Sequence, residues 1–286
     1  MLNINTNYGA AFASAAAKKA ATGLDSSIEK LSSGSRINYA SDDAAGVAIA
    51  TRLTGEIQGL AMASKNASDA QGMIDTADGA LAEVETLLLR MRELAVQAST
   101  GTLNSDDNAA LDAEFQQLEA EIDRIASSSK WAGSDLFTGT ARVFHVGTKA
   151  TDTLSHTIGK MAAHDLGIDS AGADNDASTA GDNLNNADLT TQANAQATIT
   201  RLDDAIKLVS TERGKLGAVS NRLSSTIANL DQVGVNLSAS KGRIADADFA
   251  AETGNLAKNQ ILQQAATAML AQANASKGSI LTLIRN

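Results

Sequence analysis

RLTGEIQGLAMASKNASDAQGMIDTADGALAEVETLLLRMRELAVQA, residues 52–98, holds an apolar side chain at every seventh place: Leu53, Leu60, Ala67, Ile74, Leu81, Leu88 and Ala95. Ala77, Val84, Met91 and Ala98 fill companion positions, so the stretch reads as one long helix with a coiled-coil seam. At about 1.5 Å per residue, some 45 residues give a rod of about 70 Å. Such a seam needs partner helices. The second half of the chain supplies one, with Ala195, Leu202, Val209, Leu216, Leu223, Leu230 and Leu237 seven apart and Ile199, Ile206 and Ile227 as companions. Residues 105–128 supply another. There Ser105, Asp106 and Asp107 make a capped start, and Leu111, Phe115, Leu118, Ile122 and Ile125 follow at 4-3 spacing.

Composition agrees with thin helical packing. Of 286 residues 43% are hydrophobic, leaning heavily on alanine, yet only 3% are aromatic and none is proline. Alanine favours helix and close backbone approach but contributes little buried area. A net charge of −10 lacks the basic stripe that nucleic acid requires. Zero cysteine removes disulfides and thiolate metal sites. No run of about 18 apolar residues occurs, so no membrane-spanning helix is expected. Lys18 and Lys19 follow the mildly apolar opening instead of preceding it, unlike a cleavable signal peptide.

Both ends are helical too. Ala17, Ala21, Leu24, Ile28 and Leu31 form a stripe near the start, and Leu262, Ala266, Met269, Ala273, Ile280 and Leu283 form one near the finish. Residues 31–46 and 238–248, rich in Gly, Ser, Asn and Asp, read as connectors. In the first, Ser41 is placed to cap the next helix, with Asp42 and Asp43 at its positive end. From Lys130, short apolar pairs alternate with Gly and Thr, as in one or two β-hairpins. Residues 169–189 are acidic and read as a short variable surface loop. The expected fold is mainly α: an elongated antiparallel helical bundle with paired terminal helices and a small hairpin region. Segments 1–42 and 240–286 would form one part, and 43–168 with 190–239 the other.

LSSGSRINYASDDAAGVAIATRL (31–53), LLLRMRELAVQAS (87–99) and GRIADADFAAETGNLAKNQILQQAATAMLAQAN (242–274) resemble bacterial flagellin, the filament subunit of the flagellum. INTN at 4–7, WAGSDLF and VFHVG add to the likeness. The outer variable domains of the family are nearly absent, the tail NASKGSILTLIRN departs from the family's proline-containing ending, and Trp131 stands where Phe is usual. The resemblance implies a secreted helical homopolymer of identical copies, exported uncleaved by a type III apparatus. Its partners would be an export chaperone on the C-terminal segment and the filament cap and junction proteins. It also implies that Leu24, Ile28, Leu31, Leu262, Met269, Ile280 and Leu283 pack in the inner core. Arg90, Arg92, Glu93, Leu94, Gln97 and Glu114 match a patch that lies between subunits and is read by host Toll-like receptor 5. Arg36 in the first connector is the candidate for an intersubunit ion pair.

The other reading of the residues is a coiled-coil adaptor with a small closed oligomer, or a flagellar junction protein. A filament subunit whose terminal stripes stay unstructured until sibling copies cover them fits the pattern best. Ordering each residue costs roughly 1–2 kcal/mol, which a few buried apolar side chains on an isolated helix do not repay. No catalytic site, metal site or cofactor is expected. His145, His156 and His164 have no zinc spacing, and neither a phosphate loop nor a serine elbow is present.

Overall fold

The computed structural model describes residues 6–166, 184 and 187–285, with side chains described as far as Lys277. Five helices occur among them: α1 Tyr8–Ser33, α2 Ala44–Ala98, α3 Ser105–Ser128, α4 Gln192–Ala245 and α5 Phe249–Arg285. Four short strands lie between α3 and α4. β1 Lys130–Trp131 pairs with β2 Ser134–Asp135, and β3 Ala141–His145 with β4 Thr153–Thr157, both antiparallel. The described chain divides into two compact units. One comprises residues 1–57 with 235–286, the other residues 58–234, so α2 and α4 each contribute to both.

In the unit of residues 58–234, the heptad positions Ala67, Ile74, Leu81, Leu88 and Ala95 of α2 are buried, as are Ala77, Val84, Met91 and Ala98. From α4 come Ala195, Leu202, Val209, Leu216 and Leu223. Their buried companions are Thr198, Ala205, Glu212 and Val219, one place ahead of the expected isoleucines. Ile199, Ile206 and Ile227 are half-buried against the margin of the core. The seam steps 3-4 where apolarity alone suggests 4-3, and it therefore admits a carboxylate. Arg213 lies beside that seam. Its guanidinium donates to Asp78 and Glu85 of α2, a clamp that holds it well above its ordinary value.

α3 begins with a capping box on Asn104, one residue before the expected cap. Asn104 Oδ1 accepts from Asp107 N at 2.8 Å and Asp107 returns the bond. Phe115 and Ile122 enter the core. The link between β1 and β2 is the pair Ala132–Gly133, both with positive φ (48° and 82°), as a two-residue turn between twisted strands demands. Gly72 of α2 makes room for Trp131, since a Cβ there would come within 3.0 Å of the indole. Across β3 and β4 the register pairs Arg142 with His156 and Phe144 with Leu154. Of the acidic stretch 169–189, Leu184, Ala187 and Leu189 are buried. The rest of the expected surface loop up to residue 183 lies outside the described residues.

In the other unit α1 and α5 run antiparallel, with Gly9 opposite Ala273 and Gly23 opposite Asn259. Asn7 caps α1 through its Oδ1 and donates from Nδ2 to the Ala273 carbonyl at 3.2 Å, which ties the start of one helix to the other. The second connector is shorter than its composition suggests. α4 continues through Ser238, Ser240 and Gly242 to Ala245, leaving only residues 246–248. The first connector meets it in an isolated bridge, Ser35 with Asp246. Arg36 N donates to Ala245 O at 2.7 Å and Ala247 N to Gly34 O at 2.9 Å. Gly34, at φ +69°, is the left-handed cap that turns the chain out of α1. Asp43, not Ser41, caps α2, its Oδ1 accepting from Gly46 N at 2.9 Å. Asp42 instead closes the preceding turn on Asn38 N and Tyr39 N, bonds that hold its carboxyl below the usual range.

Candidate assembly surfaces

The fully buried positions between α1 and α5 carry small side chains. Ala13, Ala20 and Ser27, seven apart on α1, are buried, and Ala266 is their buried counterpart on α5. The less exposed positions of α5 step 3-4 through Leu256, Asn259, Gln263, Ala266, Leu270 and Ala273. Leu24, Leu31, Leu256 and Leu270 are half-buried beside these positions, and the other described large apolar residues of the two helices are exposed. Phe12 is 74% exposed, Ile261 65% and Met269 52%, and Tyr8, Ile28, Phe249 and Leu262 are exposed with them. Small residues permit the close helix approach seen at Gly9 and Gly23, but they leave the larger side chains nothing in this unit to cover them.

A second surface follows α2. Leu89, Arg90, Glu93, Val96 and Gln97 are exposed along one side. Arg90 donates to Glu114 of α3 through Nε (3.1 Å) and Nη2 (2.8 Å) and to Glu93 through Nη1 (2.9 Å). Glu114 first, then Glu93, raises its already high pKa. Arg92 is held by Asp203 of α4 at 2.6 Å. The cations are thus paired within the chain, and such exposed pairs contribute little to stability. They fix side-chain positions around two uncovered apolar groups, Leu89 and Val96.

On α3, Asp112 accepts from Leu189 N at 2.8 Å and Asp123 from Ala163 N at 2.7 Å. Glu119 sits between them in sequence, and burial, then the charges of Asp123 and Asp112, pushes it up to about 7. Among the described residues no three His, Cys, Asp or Glu side chains come together as a metal site requires.

The sequence profile of the bacterial flagellin N-terminal helical region matches residues 4–142, and that of the flagellin C-terminal helical region matches residues 199–284. The chain belongs to the bacterial flagellins. This flagellin is 43% identical to the flagellin of Bacillus subtilis (strain 168), over 90% of this chain and 91% of that one. It is 38% identical to the flagellar filament 33 kDa core protein of Treponema phagedenis, over 99% of both. A Vibrio parahaemolyticus protein assigned to the hook-associated class superposes with a TM-score of 0.58 at 17% identity. It covers 72% of this chain and 100% of its own, a likeness of fold alone. The flagellin is a structural subunit that self-assembles into the extracellular flagellar filament, and no helix among the described residues is long and apolar enough to cross a membrane.

Seen against the expected sites, the flagellin places Arg90, Arg92, Glu93 and Gln97 along one stretch of α2, with Glu114 bonded to Arg90. Leu94 is 1% exposed, inside the core. Leu89 and Val96 are exposed beside Arg90, Glu93 and Gln97, the former as one of three consecutive leucines at 87–89 must be, since all three cannot face inward on a helix. Ile28, Leu262 and Met269 are exposed, while Leu24 and Leu31 are half-buried. The side chains of Ile280 and Leu283 lie outside the described residues. Arg36 is engaged inside its own chain, donating to Ile244 O at 2.6 Å and lying 4.0 Å from Asp43.

Proposed function

We propose that the exposed apolar side chains of α1 and α5 are the surface through which copies of this flagellin pack in the filament. Segments 1–42 and 240–286 then form the inner core, and 43–168 with 190–239 the surrounding shell. One observation carries the reading: the fully buried positions between α1 and α5 are alanine and serine, while Phe12, Ile28, Ile261, Leu262 and Met269 stay uncovered. Copies arranged head to tail in an open helical lattice would cover them. Because the seam alone buries little apolar area, ordering of the terminal pair and assembly become one event. Before export the same uncovered face on the C-terminal segment is what a chaperone shields, and at the filament ends the cap and junction proteins meet it. The α2 face of Arg90, Glu93 and Gln97, with Glu114, Leu89 and Val96, serves as a lateral contact between subunits and as the surface Toll-like receptor 5 reads on a free subunit. The role is structural, with no catalysis.

Met269→Glu tests the main claim. A charge buried without a partner costs several kcal/mol, and about 1.4 kcal/mol is tenfold in an equilibrium. The concentration of subunit left in solution after seeding with filament fragments should rise tenfold or more. An unchanged value overturns the assignment of this face.

A further inference from the structure

The inner side of the β3–β4 hairpin carries two nitrogens that are shut off from solvent and have no hydrogen-bond partner: Arg142 Nε and His156 Nε2. They belong to residues directly opposite each other across the two strands. The charged groups around this pair come from several elements. Arg142 Nη2 donates to the Asp135 carbonyl of β2. Asp69 of α2 lines the same groove as Arg142, together with Trp131 and Phe144. From α4, Glu212 and Lys215 act on His156, and Glu212 is committed elsewhere. It is 4% exposed, with Oε1 accepting from Gly159 N at 3.2 Å and Oε2 from Lys215 Nζ at 3.1 Å.

We propose that this hairpin is an acid-sensitive latch, in which proton uptake by His156 loosens the seat of β3 and β4 on α4. The cause is an asymmetry between the two forms of the ring. A neutral imidazole with its hydrogen on Nδ1 presents only a lone pair at Nε2, and an unused acceptor is a modest cost. The imidazolium must direct an N–H from the same atom into a place without a free acceptor, opposite the fixed cation of Arg142 and near Lys215. A buried charged donor without a partner is far more costly. Glu212 can answer it only by giving up Gly159 or Lys215, and the Gly159 bond joins the segment just after β4 to α4.

Burial acts in the same direction, lowering the His156 pKa below the ordinary histidine value, with Glu212 opposing and Lys215 adding to the effect. For a base whose pKa is depressed in the closed form, closure is fully stable above the free value of about 6.5 and is lost as the pH falls through the depressed one.

The chain's only tryptophan, Trp131, lines the groove beside Arg142 and reports on the hairpin. The test is a titration of the full unpolymerised subunit from pH 8 to pH 5 in a Glu119→Gln background, which removes the carboxyl that is pushed up to about 7. Tryptophan emission and amide exchange over residues 141–157 are followed together. The expected result is one transition centred below pH 6.5, absent in His156→Gln and unmoved in His145→Gln or His164→Gln. Arg142→Gln, which keeps the histidine and removes the opposing cation, should shift the midpoint upward. A transition that survives His156→Gln, a midpoint indifferent to Arg142→Gln, or no transition in the parent overturns the latch.

Discussion

The two units of this flagellin use the same heptad device to opposite effect. In residues 58–234 the seam takes the large side chains, with Ile74, Leu81, Leu88, Met91, Leu202 and Leu216 buried, and ion pairs such as Arg213 with Asp78 and Glu85 lie alongside. Between α1 and α5 of the terminal unit the fully buried positions are Ala13, Ala20, Ser27 and Ala266, and the large side chains are half-buried or exposed. Burial stabilises in proportion to apolar area, so the first arrangement satisfies itself and the second leaves most of its area uncovered. Seven-residue spacing therefore says that helices pair; the size of the side chain at the seam says whether the pair is self-sufficient.

The sharpest way to break this contrast is to truncate one large residue from each unit. Leu81→Ala should destabilise the soluble subunit by about 2–5 kcal/mol in denaturant unfolding, because it leaves a cavity in a closed core. Ile261→Ala should leave that unfolding transition in place while weakening assembly. If the two variants lost stability equally, the contrast would be wrong. Removing the clamp is a smaller perturbation. Arg213→Met leaves Asp78 and Glu85 side by side without their cation, at roughly 1–2 kcal/mol after allowance for partial exposure. A double-mutant cycle with Glu85→Gln should recover part of the loss.

Acid dependence sharpens the comparison further, since Glu119 belongs to the self-sufficient unit. Its folded pKa of about 7 lies above the ordinary carboxyl value of 4.5. The folded state thus holds a proton that the unfolded state has released between those limits. Stability falls as the pH rises from 4.5 through 7 and stays lower above. Glu119→Gln should flatten that slope and stabilise the subunit at pH 8 by on the order of 1 kcal/mol, given its half-buried setting. A variant no more stable than the parent at pH 8 would remove Glu119 from the account. The smallest effect concerns the β1–β2 turn. Ala132 adopts φ +48°, where asparagine or glycine is better suited. Ala132→Asn should raise the unfolding free energy by a few tenths to about 1 kcal/mol.

Where large apolar residues occupy the seam, the sequence is a sufficient guide. Every heptad position of α2 from Leu53 to Ala95 is buried, and α3 runs over the expected residues 105–128. Errors arise where size and apolarity mislead. Ile199 and Ile206 outrank Thr198 and Glu212 on any hydropathy scale, yet the latter face the core. In α5 the small Ala266 is buried while Leu262 and Met269 on either side of it are exposed. Gly242 and its serine neighbours look like a break but stay helical, because glycine weakens a helix by only about 1 kcal/mol and does not end it. Ser41 and Ser105 are good caps one or two residues from better ones, Asp43 and Asn104, and only backbone geometry chooses between them. The ionic part of the α2 surface was legible from its motif. The burial of Leu94 was not, because one helical stripe grades into the next over a single residue.

The bridge between the two connectors has a mechanical meaning. Gly34 with Ala247, Arg36 with Ala245 and the Arg36 guanidinium with Ile244 lie at one level of the chain. Tension that drags the two strands past each other therefore loads three bonds together instead of peeling them singly, and rupture demands that all yield at once. A rotating propeller element gains from a fastening that shares its load in this way.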